Sequence, residues 1–455
     1  MRMGIDIKPT FLTFLRSAGQ KDWFRPLKNA GIVGAGKGAQ GVISLIALAL
    51  AARHLGVEAF GFFVLIHGMV FGASQIFRFQ TWQAVLRYGA AARNHNDKDR
   101  LQHLTRFTFT LDILSAVAGT ILMVTMAGPL SRAFSLPEDQ IWMAQLYAIS
   151  IAFMLLTPTQ LGVLRLFNRF DLVAIQTMIG PAFRFIGTLI LFFGYPEVGL
   201  FAYLSIWFIG GLVARQAMLI MAGREMRRHG FDSRSFLPVN PLKPREEKIW
   251  GFVMGHNIFR SFYIAHEQIA LVMIGALLGP AAAGIFRIAQ KFAAIMIKPA
   301  EKFLVPALYP ELARFEASGD KTGRRQMIAA NLAIVGGVSL VLFTLLALAG
   351  QWLITALTGE DYAAAYIPMI WLCGAGLIKI LSYPLEPLLS AAGRVKALIG
   401  AYGAGLVLYI VALYGLIQIF GLPGAAMAAL AAEALSALIM FLLHKKRHDG
   451  KFYNI

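Results

Sequence analysis

Runs of about 20 apolar residues, separated by short polar or glycine-bearing stretches, recur along the whole of this chain. A hydrocarbon core roughly 30 Å thick is crossed by a helix of about 20 apolar residues, so each run predicts a transmembrane helix. The windows fall near residues 29–52, 59–80, 107–128, 141–164, 172–194 and 199–222, then near 250–277, 281–306, 327–350, 363–383, 397–420 and 423–443. The predicted fold class is therefore all-α: a polytopic membrane protein of about twelve transmembrane helices. Composition agrees, since 58% of the 455 residues are hydrophobic and 15% are charged, against roughly half and a quarter in soluble chains.

Charge then orients the spans. The chain carries 42 Lys and Arg against 24 Asp and Glu, a balance that would point to nucleic acid if it lay on one soluble face. It does not. With the amino terminus inside, alternate connections collect thirty cations on the inner side, while only Arg53 and Arg132 lie outside. This is the asymmetry that sets topology in membrane proteins, so the basic balance implies no nucleic-acid partner. Both termini are expected in the cytoplasm, with residues 1–28 as a retained tail and 445–455 as a second one. Phe11, Leu12, Phe14 and Leu15, among the cations of the first tail, fit a short interfacial helix.

An internal repeat divides the spans. Leu55-Gly56 and Gly61-Phe62-Phe63 return as Leu278-Gly279 and Gly284-Ile285-Phe286, 223 residues on. Both copies fall at the turn between the first two spans of a six-span set. We expect two six-helix lobes, residues 29–223 and 249–444, joined by a basic cytoplasmic linker at 224–248 that contains Pro238, Pro241 and Pro244.

The remaining ten cations lie within the spans, where ionisable groups face a bundle interior or a wet cavity. Arg287, Lys291, Lys298 and Lys302 share one face of span 8 at 3.6 residues per turn. His256, Arg260, Tyr263 and Glu267 share a face of span 7, and His67, Ser74 and Arg78 a face of span 2; Lys37 lies in span 1. Arg78 and Lys302 are near enough to the cytoplasmic end to snorkel instead. Arg184 in span 5 and Lys379 in span 10, with Glu386 two turns on, fit an internal ion pair as well as a ligand contact. Glu433 stands alone in span 12. A cavity walled by cations concentrates anions, and guanidinium forks suit phosphate oxygens, so the candidate substrate-binding residues are Lys37, Arg78, Arg260, Arg287, Lys291 and Lys298. Glu267 and His256 are the candidate coupling residues, able to exchange a proton; pairing with a neighbouring cation is the other reading of Glu267.

Other chemistry finds no support. Gly31 to Gly38 approaches a phosphate-binding loop, but Gly38 stands where Ser or Thr should ligate magnesium, and the run opens a membrane span. Cys373 is the sole cysteine, which excludes disulfides and cysteine metal sites. No metalloprotease or serine-hydrolase pattern occurs, so no catalytic residue, metal or cofactor is assigned. A membrane glycosyltransferase or ligase would need sizeable outward loops, and the outward connections are short.

Several stretches resemble bacterial polysaccharide flippases of the multidrug/oligosaccharidyl-lipid/polysaccharide (MOP) exporter superfamily. They are Asn29, residues 52–61 (AlaArgHisLeuGlyValGluAlaPheGly), Gln268 to Phe286, Leu357 to Tyr362, Pro387 to Gly393, and Gly421-Leu-Pro-Gly-Ala-Ala. The resemblance implies two six-helix lobes around a central cavity lined by spans 1, 2, 7 and 8, opening alternately to each side. It implies as cargo an undecaprenyl-pyrophosphate-linked oligosaccharide, an anionic lipid-linked glycan moved from the cytoplasmic to the periplasmic leaflet of the inner membrane for lipopolysaccharide or exopolysaccharide assembly. Membrane lipids, and polysaccharide polymerase or export machinery, are the partners it implies. Multidrug antiporters of the same superfamily are the alternative; they carry cations and favour acidic cavities.

Overall fold

The computed structural model describes residues 24–95, 97–232, 236–238, 246, 249–318, 321–391 and 394–445. Among the described residues the regular structure is helical, and ten segments are long and apolar enough to cross a membrane. The first of them, Gly38–Asn94, holds two predicted spans, because helix α1 (Phe24–Phe77) passes through a break at Gly56. α2 is Thr81–Asn94 and α3 Lys98–Ala133; α4 (Ile141–Ala148), α5 (Ile151–Leu155) and α6 (Pro158–Leu166) follow, then α7 (Phe170–Gly194) and α8 (Leu200–Arg228). The second half comprises α9 (Ile249–Leu278), α10 (Pro280–Ser318), α11 (Lys321–Thr358), α12 (Tyr366–Ser382), α13 (Leu385–Ala391), α14 (Val395–Phe420) and α15 (Leu422–Lys445). Every predicted window falls on helix, and the multi-pass all-α architecture holds.

The fourth window departs from a single span: α4, α5 and α6 divide it, with Pro158 opening α6 where its missing N–H costs nothing. In hydrocarbon the backbone groups freed at such breaks need partners from the protein. Asp112 of α3, 1% exposed, supplies one. Its Oδ2 accepts from the Thr159 backbone N–H at 3.0 Å and its Oδ1 from the Thr81 hydroxyl at 2.8 Å, so one carboxylate caps the start of α6 and ties it to the first side chain of α2. Arg78 does the converse at the end of α5, donating from Nη2 to the Met154 carbonyl at 3.0 Å.

Four hairpin turns on the side with short connections carry glycine at positive φ: Gly56 (73°), Gly279 (87°), Gly359 (97°) and Gly421 (61°). Two of them belong to the repeat, and their hairpins meet. A Cβ on Gly61 would lie 2.0 Å from the Pro280 carbonyl oxygen, and one on Gly284 would lie 3.1 Å from that of Val57. The contact continues along the helices, with Leu65 against Gly275 and Gln268 over Gly68 and Gly72. Lipid tails solvate apolar side chains as well as a neighbouring helix does, so membrane helices associate through close packing, which small residues permit. At this same end the Tyr362 hydroxyl donates to the Ala52 carbonyl at 3.0 Å, and Arg53 donates to that of Ala356 at 3.2 Å. The hairpins of both halves are thereby tied together there.

Large apolar residues such as Phe193, Leu348 and Ile419 stay exposed on the outer faces, as a bilayer allows. At the opposite end from the glycine turns, ion pairs gather at helix termini. Arg169 meets the nearly buried Glu225 at 2.6 Å, and Arg100 holds Glu246, in the connection from α8 to α9, through two bonds of 2.7 and 2.8 Å.

Gly61→Ala is expected to destabilise the fold by about 1–3 kcal/mol or more through overpacking. Gly415→Ala, at a position with nothing within 4 Å of an added Cβ, is expected to leave stability unchanged or slightly raised. Thermal unfolding of the two detergent-solubilised variants checks the contrast.

Candidate functional site

Six of the ten cations within the spans line two cavities. The first, of about 370 Å3, lies between α1, α7, α8 and α10. Arg78, Arg184, Arg287 and Lys291 line it together with His67, Gln75 and Gln40, and no carboxylate stands among its described lining residues. The local geometry orients these groups. Arg184 donates from Nε to the Gly180 carbonyl at 3.2 Å, one helical turn back on α7, and its guanidinium lies 5.8 Å from the centre of the Trp207 ring. Such a cation–aromatic approach holds a charge without neutralising it. Trp207 stands edge-on to Phe63 at 4.9 Å. His67 is held by the Tyr147 hydroxyl, 2.7 Å from Nδ1, and stacks parallel to Phe63.

The second cavity, of about 240 Å3, is lined by α10, α12, α14 and α15. Arg287 and Lys291 line both cavities, so the cationic face of α10 forms the wall between them. The two cavities stand at equivalent places in the repeat. Val64, His67, Phe71 and Gln75 line the first; Arg287, Gln290, Ala294 and Lys298, each 223 residues on, line the second. A short sequence echo at two turns thus extends along the whole cavity-facing stripe of α1 and α10.

Of the residues expected from the sequence to bind substrate, Arg78, Arg287 and Lys291 line the first cavity, and Lys298 lines the second with Arg287 and Lys291. Lys37, Arg260, His256 and Glu267 lie outside the residues whose side chains are described, as does Lys302. Ser74, expected on the same face as His67, is buried, and its hydroxyl donates to the Phe71 carbonyl instead. The structure adds residues that the spacing left open or did not single out. Arg184 faces the first cavity, and Lys379 and Glu433 face the second. Glu386, read from the sequence as a partner for Lys379, accepts a hydrogen bond from Tyr402 at 3.0 Å. Only the hydropathy of their spans marked these positions as costly, because each stands alone on its own helix.

This arrangement, broken helices around polar cavities within a helical membrane bundle, defines a fold. The structure superimposes on the inward-facing conformation of a multidrug resistance MATE family transporter of the MOP superfamily with a TM-score of 0.71 at 13% identity, covering 90% of this chain and 94% of that one. It superimposes on the lipid II flippase MurJ, in an inward closed conformation, with a TM-score of 0.67 at 14% identity, covering 91% and 87%. These likenesses establish the fold, that of MOP-superfamily transporters. The chain belongs to the polysaccharide biosynthesis protein family, whose model matches residues 27–316. Inner membrane protein YghQ of Escherichia coli (strain K12) is 28% identical to it over 353 residues, which are 76% of this chain and 98% of that protein.

Cys373 is buried, so a Cys373→Ser background permits a direct probe of cavity polarity. A cysteine replacing Ser44, which lines the first cavity, is expected to react at least about tenfold faster with an anionic methanethiosulfonate than with a cationic one. Thr188→Cys, at a fully buried site, is expected to react with neither.

Proposed function

We propose that this protein moves an undecaprenyl-pyrophosphate-linked oligosaccharide from the cytoplasmic to the periplasmic leaflet of the bacterial inner membrane by alternating access, with both termini in the cytoplasm. The observation that carries this reading is the first cavity: four cations line it, and no carboxylate stands among its described lining residues. Membership of a polysaccharide biosynthesis family supports the same class of cargo. The guanidinium forks of Arg184 and Arg287 suit the oxygens of a pyrophosphate. Lys291 adds a point charge between them and the second cavity. The polyprenyl tail stays in lipid, where it meets the apolar outer faces, and only the headgroup has to cross. A cation antiporter shares this fold, but a cavity of this polarity repels its substrates.

The driving force in this reading is proton antiport through Glu267 and His256 on α9. With Arg260 engaged by the pyrophosphate the carboxylate lacks its partner, so in the outward-open state it binds a proton from the periplasm, and it releases that proton to the cytoplasm after the emptied transporter has returned inward. The membrane potential contributes about 2.3 kcal/mol per charge per 100 mV. On the periplasmic side the glycan passes to polymerase or export machinery.

Arg184→Glu and Arg287→Glu are each expected to abolish polysaccharide export in cells while the protein still reaches the membrane. Arg325→Glu, on an exposed helix start away from both cavities, is expected to retain it. Export that survives all three reversals rules out anionic cargo in the first cavity. In proteoliposomes, Glu267→Gln is expected to flip cargo without dependence on an imposed proton gradient; unchanged dependence removes Glu267 from the coupling step. For sidedness, cysteines at His95 and Ser135 are expected to be labelled from the cytoplasm and the periplasm respectively.

A further inference from the structure

The second cavity has no part in the reading above, and its chemistry has diverged from that of its repeat-equivalent. Where the first cavity has His67 and Gln75, the second has Gln290 and Lys298. Where Arg184 and Trp207 complete the first, Lys379, Tyr402, Tyr409 and Glu433 complete the second. Its 240 Å3 falls just below the range of small-molecule pockets, about 300–1,000 Å3. That is room for a sugar ring, not for a chain of them. Aromatic faces pack against the C–H faces of a pyranose, and amide, hydroxyl and carboxylate groups bond its hydroxyls; Tyr402, Tyr409, Gln290, Ser436 and Glu433 supply that set. Tyr402 is held in place by the hydrogen bond from its hydroxyl to Glu386.

Charge narrows the class of sugar. Arg78, Arg184, Arg287, Lys291, Lys298 and Lys379 line the two cavities, against Glu433 as the one carboxylate among the described lining residues. A pyrophosphate esterified at both ends carries one negative charge on each phosphate, so cations still outnumber anions among the described lining residues when it is bound and Glu433 is ionised. At membrane depth such an excess favours cargo that brings further negative charge. We propose that the cavity between α10, α12, α14 and α15 is a subsite for an acidic sugar of the cargo glycan, whose carboxylate lies between Lys298 and Lys379 while the pyrophosphate occupies the first cavity across α10. This inference rests on the flippase reading and deepens it: the protein would distinguish acidic from neutral glycans.

Binding to the purified full-length protein in nanodiscs, by calorimetry, tests it with three soluble probes. These are inorganic pyrophosphate, a disaccharide ending in glucuronate, and the same disaccharide ending in glucose. The acidic disaccharide is expected to bind about tenfold or more tightly than the neutral one, as a charge-assisted contact provides. Lys379→Gln and Lys298→Gln are expected to remove that preference while leaving pyrophosphate affinity within about twofold. Lys379→Arg keeps the charge and is expected to keep the preference, which separates the charge from any effect on folding. Arg184→Gln is expected to weaken pyrophosphate and spare the disaccharide preference. Equal affinity for the two disaccharides, including no binding of either, overturns the subsite. So does a preference that disappears with Arg184→Gln and survives Lys379→Gln, because the acid would then lie in the first cavity. Failure of pyrophosphate itself to bind counts against the flippase reading instead.

Discussion

Hydrocarbon offers neither a hydrogen bond nor a counter-charge, and the rest of this structure follows from that lack. Each backbone group at membrane depth has to be satisfied within the protein, which makes every described span a helix and every interruption of one an expense to be met nearby. Asp112 meets one such interruption by capping α6 and also holds the Thr81 hydroxyl at the start of α2, and Arg78 meets another at the end of α5. The broken helices beside the first cavity are therefore built features. Two side chains, Asp112 and Arg78, hold three helix ends in register here.

The same lack explains how the halves associate. With no hydrophobic gain to be had between helices in lipid, contact depends on fit, and the closest fit lies where the two copies of the repeat turn face each other. Left-handed glycines at 56 and 279 reverse the chain, and Gly61 and Gly284, five residues on, remove the side chains that would hold the hairpins apart. Tyr362 and Arg53 add bonds to backbone carbonyls at that end.

Away from this seam the halves have diverged. Equivalent stripes of α1 and α10 face equivalent cavities, yet one cavity is lined by arginines with a tryptophan and the other by lysines with tyrosines and a glutamate. Guanidinium groups suit the planar, bidentate recognition of phosphate, and ammonium groups act as point charges. A duplicated scaffold with chemically distinct cavities fits a cargo whose two ends are chemically distinct. On the function proposed above, Arg287 and Lys291, shared by both cavities, are where the two ends would meet.

What the chain determined by itself is what depends on neighbours in sequence. The length of an apolar run dictates a span, glycine permits a left-handed turn, and the pitch of a helix puts Arg287, Lys291 and Lys298 on one face; all three line cavities. The offset of 223 residues was legible at two turns and proved to run along the cavity stripe as well. What only the tertiary structure decided is which faces meet. Arg184, Lys379 and Glu433 are isolated on their own helices, and no periodicity relates α7, α12 and α15 to α10. Lys379 and Glu386 share a stretch of chain, but the break between α12 and α13 lies between them, and Tyr402 of α14 donates to the carboxylate, a contact no local spacing announces. Local geometry fixes the direction of a side chain relative to its own helix. Its surroundings are set by close packing between helices that lie a hundred or more residues apart, where a glycine or a break in one decides what the other can touch.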